Sequence, residues 1–200
     1  MTSIQEKGGG SFDMVPLPDF LRRHHDTCFL VNEALTGLAG ESVAGLLPDH
    51  SDLLVTRTPS KAHSLAGFHV GDAISPVGLT GDLNSHNNAY SLTRPGQAAA
   101  MATPQQENRI RDRVKQLGAW TEDLAAELRT LDVSTHPTPA YFFLADFAPH
   151  DSANLADKLR ESGVFVKPLK DRDLGPDFMR ATTALPQENA RVIAAVRGRV

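Results

Sequence analysis

The residues best suited to chemistry lie in one stretch, Arg57-Thr58-Pro59-Ser60-Lys61-Ala62-His63-Ser64-Leu65-Ala66-Gly67-Phe68-His69-Val70-Gly71. Lys61 follows an apolar run and falls in a turn of small residues. Such a place can strip water from the ammonium and favour the neutral amine that carbonyl condensation requires. Thr58 and Ser60 put hydroxyls just ahead of it, and hydroxyls combined with turn N–H groups suit a phosphate. On chemistry alone, the alternative is a solvated loop lysine at a strand end. Three other groups read as structural. In His24-His25-Asp26, adjacent side chains of an extended segment diverge, so a solvated turn is preferred to a metal site. Arg109, Arg111, Arg113 and Lys115 are interleaved with Glu107 and Asp112 and spread around a helix, as a solvated face does. Cys28 opens an apolar strand with no base beside it in sequence, which fits a structural thiol rather than a nucleophile.

The elements that must hold Lys61 can be read from periodicity. Pro18 to Arg23 predicts a short helix, and Cys28-Phe29-Leu30-Val31 a strand buried on both faces that ends near Asn32. Leu53 to Thr56 predicts a second strand, and Phe68 to Ile74 a third, with weakly helical Ser42 to Leu47 between the first two. Strands separated by helical stretches imply an α/β layer with parallel strands. Ser75 to Tyr90, rich in Gly, Asn, Ser and Asp, reads as a loop or linker. Gln97 to Leu131 has Ile110, Val114, Leu117, Leu124 and Leu128 at helical intervals and a break at Pro104, which predicts a long, bent or broken helix. Beyond it, Tyr141 to Ala145 reads as a strand, and Ser152 to Ser162 as a helix stopped by Gly163. Val164 to Val166 reads as a strand and Glu188 to Val196 as a last helix, completing a small α+β domain.

Composition narrows the function classes. The 200 residues, 40% of them apolar, suffice for a compact core, so disorder throughout is excluded. Twenty basic and 24 acidic side chains leave a charge of −4, which gives no electrostatic reason for nucleic-acid binding. A single cysteine excludes an internal disulfide and a multi-cysteine zinc site. No apolar run approaches the roughly 20 residues of a membrane span, and the N-terminus has no signal pattern; a cytoplasmic protein is expected. Gly8-Gly9-Gly10-Ser11 makes residues 1–15 read as a flexible N-terminus.

The Thr58 to Gly71 stretch resembles the lysine segment of class I/II, fold-type I, pyridoxal-phosphate-dependent aminotransferases, whose pattern runs Ser-Lys-x-aromatic-small-Leu-small-Gly-apolar-Arg-apolar-Gly. More narrowly it is similar to the histidinol-phosphate aminotransferase and threonine-phosphate decarboxylase branch. Phe29-Leu30-Val31-Asn32-Glu33-Ala34-Leu35 resembles the strand ending in Asp-Glu-Ala-Tyr, and Asn88-Ala89-Tyr90-Ser91 with Gln97-Ala98-Ala99 the approach to the interdomain helix. Gly163 to Pro168, Phe178 to Thr182 and Pro186 to Asn189 resemble the small domain. Five segments in register, from Pro16 to Val196, carry the likeness.

The resemblance implies an incomplete PLP-transferase large domain over residues 16–87, an interdomain helical segment over 88–131 and a small domain over 132–200. It implies pyridoxal 5'-phosphate as cofactor, with Lys61 as the catalytic, aldimine-forming lysine and Thr58 and Ser60 on the phosphate. Asn32 would face the pyridine nitrogen and Arg180 would clamp the carboxylate of an amino-acid or amino-phosphate substrate. Some positions depart from the pattern. Asn32 replaces an aspartate and cannot supply the charge that keeps the ring nitrogen protonated, so the electron sink should weaken. Leu35 replaces a tyrosine, His69 replaces a phosphate-binding arginine but could pair as an imidazolium, and Lys167 stands where arginine is usual. Family members also carry a long N-terminal portion with an Asn-Pro-x-Asn-Pro-Thr-Gly loop, where this chain has Ile4 to Ser11. The expected activity is transamination. The alternatives are a non-catalytic remnant, a split-enzyme part acting with a complementing N-terminal chain, and decarboxylation of an amino-acid phosphate. A homodimer or a complementing chain is the expected partner, since a short parallel sheet leaves open edges.

Overall fold

The computed structural model describes residues 14–38, 40–86, 88, 90–169 and 174–200. The flexible segment and substituted loop expected before residue 14, and two residues of the 87–89 boundary, lie outside these. The described chain divides into two compact units, residues 14–114 and 115–200.

The first unit opens with helix α1 (Leu17–Arg23), which has proline in its first turn, Asp19 near its start and two arginines at its end. Strands β1 (Phe29–Asn32), β2 (Leu53–Arg57) and β3 (Asp72–Ile74) form a sheet in that order. β1 runs parallel to β2, with Asn32 opposite Thr56. The third strand corrects the expectation of an all-parallel layer: β3 is antiparallel to β2 and begins at Asp72, not Phe68. A parallel return needs a long crossover, usually helical, whereas residues 58–71 contain only the short 3₁₀ turn Ala66–Phe68. Leu53 and Val55 of β2 pack with Leu17, Leu21 and Val43, the last from a 3₁₀ helix (Val43–Asp49), with Phe29 and Val31 partly buried against them. This face is the unit's core. β1 is not buried on both faces, because it lies at the sheet edge, where Leu30 is 45% exposed. Cys28, expected inside, is exposed for the same reason.

Ser75 to Tyr90 is not loop throughout, since α2 covers Val77–Ser85. It buries no side chain, and two glycines lower its intrinsic propensity, so neither pattern nor composition announces it. The predicted break at Pro104 is observed. Helix α3 (Arg94–Ala102) meets a 3₁₀ turn (Thr103–Gln106) and then α4 (Glu107–Arg129).

In the second unit β4 (Ser134–Thr135), β5 (Phe142–Asp146), β6 (Lys167–Pro168) and β7 (Phe178–Thr182) form an antiparallel sheet of order β4-β5-β7-β6. Phe143 and Ala145 of β5, with Met179 and Ala181 of β7, make one face apolar. That face packs with Leu124 and Leu128 of α4, Leu155 and Leu159 of α5 (Ser152–Glu161), and Ile193 and Val196 of α6 (Pro186–Arg197). Asp151 caps α5 by accepting the Asn154 N–H, and Gly163, at φ +74°, takes the left-handed turn that ends it. The strand expected at Val164 to Val166 forms instead at Lys167–Pro168, and Phe165 faces solvent at 78% exposure.

Candidate functional site

β1 and β2 end side by side, and the chain turns sharply after each. Carboxyl ends of parallel strands are where open α/β sheets place ligands. After β2, Thr58 Oγ1 lies 2.7 Å from the Val70 carbonyl and 2.8 Å from Ser60 Oγ, and accepts the Ser60 N–H at 3.1 Å. A carbonyl can only accept, so the Thr58 proton goes to Val70. The Ser60 proton then lies on Thr58 Oγ1 across the 2.8 Å contact, and it is the one that rotation can turn toward a ligand. Thr58 thus ties the lysine turn to the segment bearing His69. Lys61 follows in that turn, which the Lys61 carbonyl closes by accepting the Ser64 N–H.

Lys61 is exposed, which corrects the expectation of a dry amine: its immediate neighbours, Ser60 and Ala62, are too small to cover it. The β1 side approaches it closely, because a Cβ placed on Gly37 would lie 2.9 Å from the Ala62 Cβ. Ser64 and His69 both take positive φ, +59° and +51°, a region that costs a non-glycine residue roughly 1–2 kcal/mol. Strain of this kind collects where a turn has work beyond folding.

At the end of β1, Asn32 is half-buried and its Oδ1 accepts the Ala34 N–H at 3.0 Å. The segment after it is anchored by two residues that the sequence reading passed over. Glu33 is buried; its Oε1 accepts the Val43 N–H at 2.6 Å and its Oε2 the Arg57 Nε–H at 2.9 Å. Arg57 also donates to Ser42 Oγ. The available signal was a pair of opposite charges, each just at an apolar strand's end. Leu35, at the tyrosine position, is buried and offers no hydrogen bond.

Arg180, in the second unit, stands on β7 between Leu144 of β5 and Lys167 of β6. Its neighbours Met179 and Ala181 point into the core, so alternation puts Arg180 on the opposite face. There its guanidinium lies 5.0 Å from the centre of the Phe142 ring, a cation–π contact. A cavity of about 150 Å³ in this unit, lined by Thr121, Glu122, Arg129, His136 and Phe143 among others, includes none of the residues named from sequence. Among the described residues no helix is long and apolar enough to cross a membrane.

The arrangement fits a pyridoxal phosphate group. A hydroxyl, an accessible primary amine and a side-chain amide lie at adjoining strand ends, the first two in the turn after β2 and the amide on the last residue of β1. Asn32, Thr58, Ser60, Lys61 and His69 all belong to this first unit, whereas Arg180 belongs to the second.

Known proteins agree with this architecture. The chain is 34% identical over 176 residues to histidinol-phosphate aminotransferase 1 of Bordetella parapertussis, covering 86% of this chain and 49% of that one. It thus spans about half the length of the curated relatives it matches. Among solved structures it is similar to histidinol-phosphate aminotransferase from Sinorhizobium meliloti in complex with pyridoxal-5'-phosphate, with a TM-score of 0.85 at 20% identity, covering 96% of this chain and 54% of that one. It is also similar to L-threonine-O-3-phosphate decarboxylase from Porphyromonas gingivalis, with a TM-score of 0.84 at 20% identity, covering 96% and 61%. The mixed α/β fold is that of part of a pyridoxal-phosphate-dependent aminotransferase. With the family model for aminotransferase class I and II matching residues 13–196, the chain belongs to that family.

Proposed function

We propose that the chain carries the lysine-bearing part of a pyridoxal-phosphate-dependent aminotransferase acting on an amino-phosphate such as histidinol phosphate. The observation that carries this reading is the Thr58–Lys61 turn, with its donor hydroxyl and accessible amine, beside Asn32 at the end of the neighbouring strand. Bound pyridoxal phosphate supplies a conjugated ring that draws electron density from the substrate Cα. Lys61 Nζ holds the cofactor aldehyde and, once released by the substrate amine, moves the Cα proton. Ser60 Oγ donates to the phosphate, Thr58 holds the turn, and His69 takes the place of an arginine as the further phosphate ligand. Arg180 binds the substrate carboxylate. Lys167 lies directly opposite it across β6 and β7, so the two strands present a second positive charge beside Arg180.

The exposure of Lys61 and of Leu30 on the β1 edge favours a second reading, in which another chain covers the turn and completes the site. Both readings share one experiment. The chain mixed with pyridoxal phosphate is expected to develop a visible absorption band that Lys61→Ala abolishes without changing the circular dichroism. It is also expected to move the amino group of histidinol phosphate to a 2-oxo acid. A folded chain that gives the band but no transfer favours the second reading, and one that gives no band overturns the first.

A further inference from the structure

We propose that Gly37 is a positioning residue for Lys61: the Cβ it lacks lets the turn after β1 seat directly on Ala62, and that contact sets where the lysine stands relative to the end of β1. The inference rests on the pyridoxal-phosphate reading above. Gly37 does not take a positive φ, so its backbone conformation alone would admit any residue. Space is what excludes one. A Cβ at position 37 would lie 2.9 Å from the Ala62 Cβ, against the roughly 3.5–4.0 Å at which carbon atoms pack. The Ala62 Cβ is bonded to the main chain and has no rotamer by which to move aside, so relief requires one backbone or the other to shift.

The turn after β1 is the better anchored of the two. The Glu33 N–H donates to the Thr56 carbonyl at 2.7 Å, the Thr36 N–H to the Glu33 carbonyl at 3.1 Å and the Leu38 N–H to the Leu35 carbonyl at 2.8 Å. The Glu33 carboxylate is held by the Val43 N–H and by Arg57, and Leu35 is buried. The lysine turn is closed by bonds within itself, from the Ser64 N–H to the Lys61 carbonyl and from the Leu65 N–H to the Pro59 carbonyl, both at 3.1 Å. No residue from Ser60 to His69 is buried. An added Cβ at position 37 therefore displaces the lysine turn, and Lys61, the residue immediately before Ala62, moves with it.

The test pairs Gly37→Ala with Ala62→Gly in the full chain. In a titration with pyridoxal phosphate followed by the Lys61-dependent absorption band, Gly37→Ala is expected to reach half-saturation at about tenfold higher cofactor than wild type, the scale of effect that overpacking produces. Ala62→Gly alone is expected to stay near the wild-type value, and the double variant to return to it, because the second Cβ is what the first one meets. In the cofactor-free chain, exchange of the Ser64 and Leu65 amides is expected to quicken in Gly37→Ala and to recover in the double variant. A folded Gly37→Ala chain that loses stability in urea but keeps the wild-type half-saturation assigns the glycine a purely structural role and overturns the inference. A double variant that does not recover overturns it as well, and this holds even where Gly37→Ala alone does not fold. If the wild type gives no Lys61-dependent band, the cofactor reading falls, and the amide exchange then decides whether Gly37 positions the lysine turn.

Discussion

His69 carries two demands that pull apart. Its backbone sits at φ +51°, closing the 3₁₀ turn Ala66–Phe68, a conformation glycine adopts freely and histidine does not. Its side chain is exposed, and the next residue, Val70, accepts the Thr58 hydroxyl through its carbonyl, which ties this segment to the hydroxyls proposed to receive a phosphate. Histidine here is a worse choice for the turn and a better one for an anion. Replacing it should separate the two effects. His69→Gly is expected to raise stability by roughly 0.5–1 kcal/mol in chemical denaturation, through relief of the left-handed strain. The same variant is expected to bind pyridoxal phosphate more weakly than wild type in an absorbance titration. If affinity is unchanged while stability rises, the ring plays no part in holding the phosphate. Ser64→Gly, at φ +59° in the same stretch, is the control: it should gain stability with the same sign and leave cofactor affinity as it was.

Between elements, buried hydroxyls decide how β7 is held. Thr183, just past Arg180 and the end of β7, donates to Thr121 Oγ1 at 2.7 Å, and Thr121 donates to the Leu117 carbonyl within α4 at 2.7 Å. Removing either hydroxyl is not equivalent. Thr121→Val leaves the Thr183 hydroxyl buried without an acceptor and should cost about 1–3 kcal/mol. Thr183→Val leaves Thr121 still bonded to Leu117 and should cost about 0.5–1.5 kcal/mol. Urea denaturation of the two variants checks the order, and equal losses would mean that the chain of bonds does not hold in solution. Such links explain what sequence could and could not disclose. The break at Pro104 and the helices with strong apolar stripes were legible, because their periodicity lies within one segment. The direction of β3, the edge exposure of β1, and the anchors Glu33, Arg57 and Thr121 were not, because each depends on a partner far along the chain. Helix α2 escaped for the opposite reason: it has no buried face, so no pattern marks it.

The two units bury unequal cores. The second packs Leu124, Leu128, Phe143, Leu155, Leu159, Met179, Ile193 and Val196 into one cluster, whereas the fully buried apolar cluster of the first is Leu17, Leu21, Val43, Leu53 and Val55. At roughly 1.5–3 kcal/mol for each large apolar side chain buried, that difference outweighs any single hydrogen bond at the candidate site. The unit that carries Lys61 is therefore the less strongly stabilised one, and among the described residues its sheet has three strands with β1 at an edge. Local opening should follow the same order. In hydrogen exchange on the intact chain, amides of β1 and β2 are expected to exchange faster than those of Phe143, Ala145, Met179 and Ala181. A ligand that binds only the folded first unit stabilises that unit by mass action. Saturating pyridoxal phosphate is therefore expected to slow exchange in β1, β2 and the 58–71 segment and to leave β5 and β7 unchanged. Protection that rises equally in both sheets would show that the cofactor is not held at the ends of β1 and β2. Protection already equal without cofactor would mean that something other than the buried apolar cluster holds the first unit together.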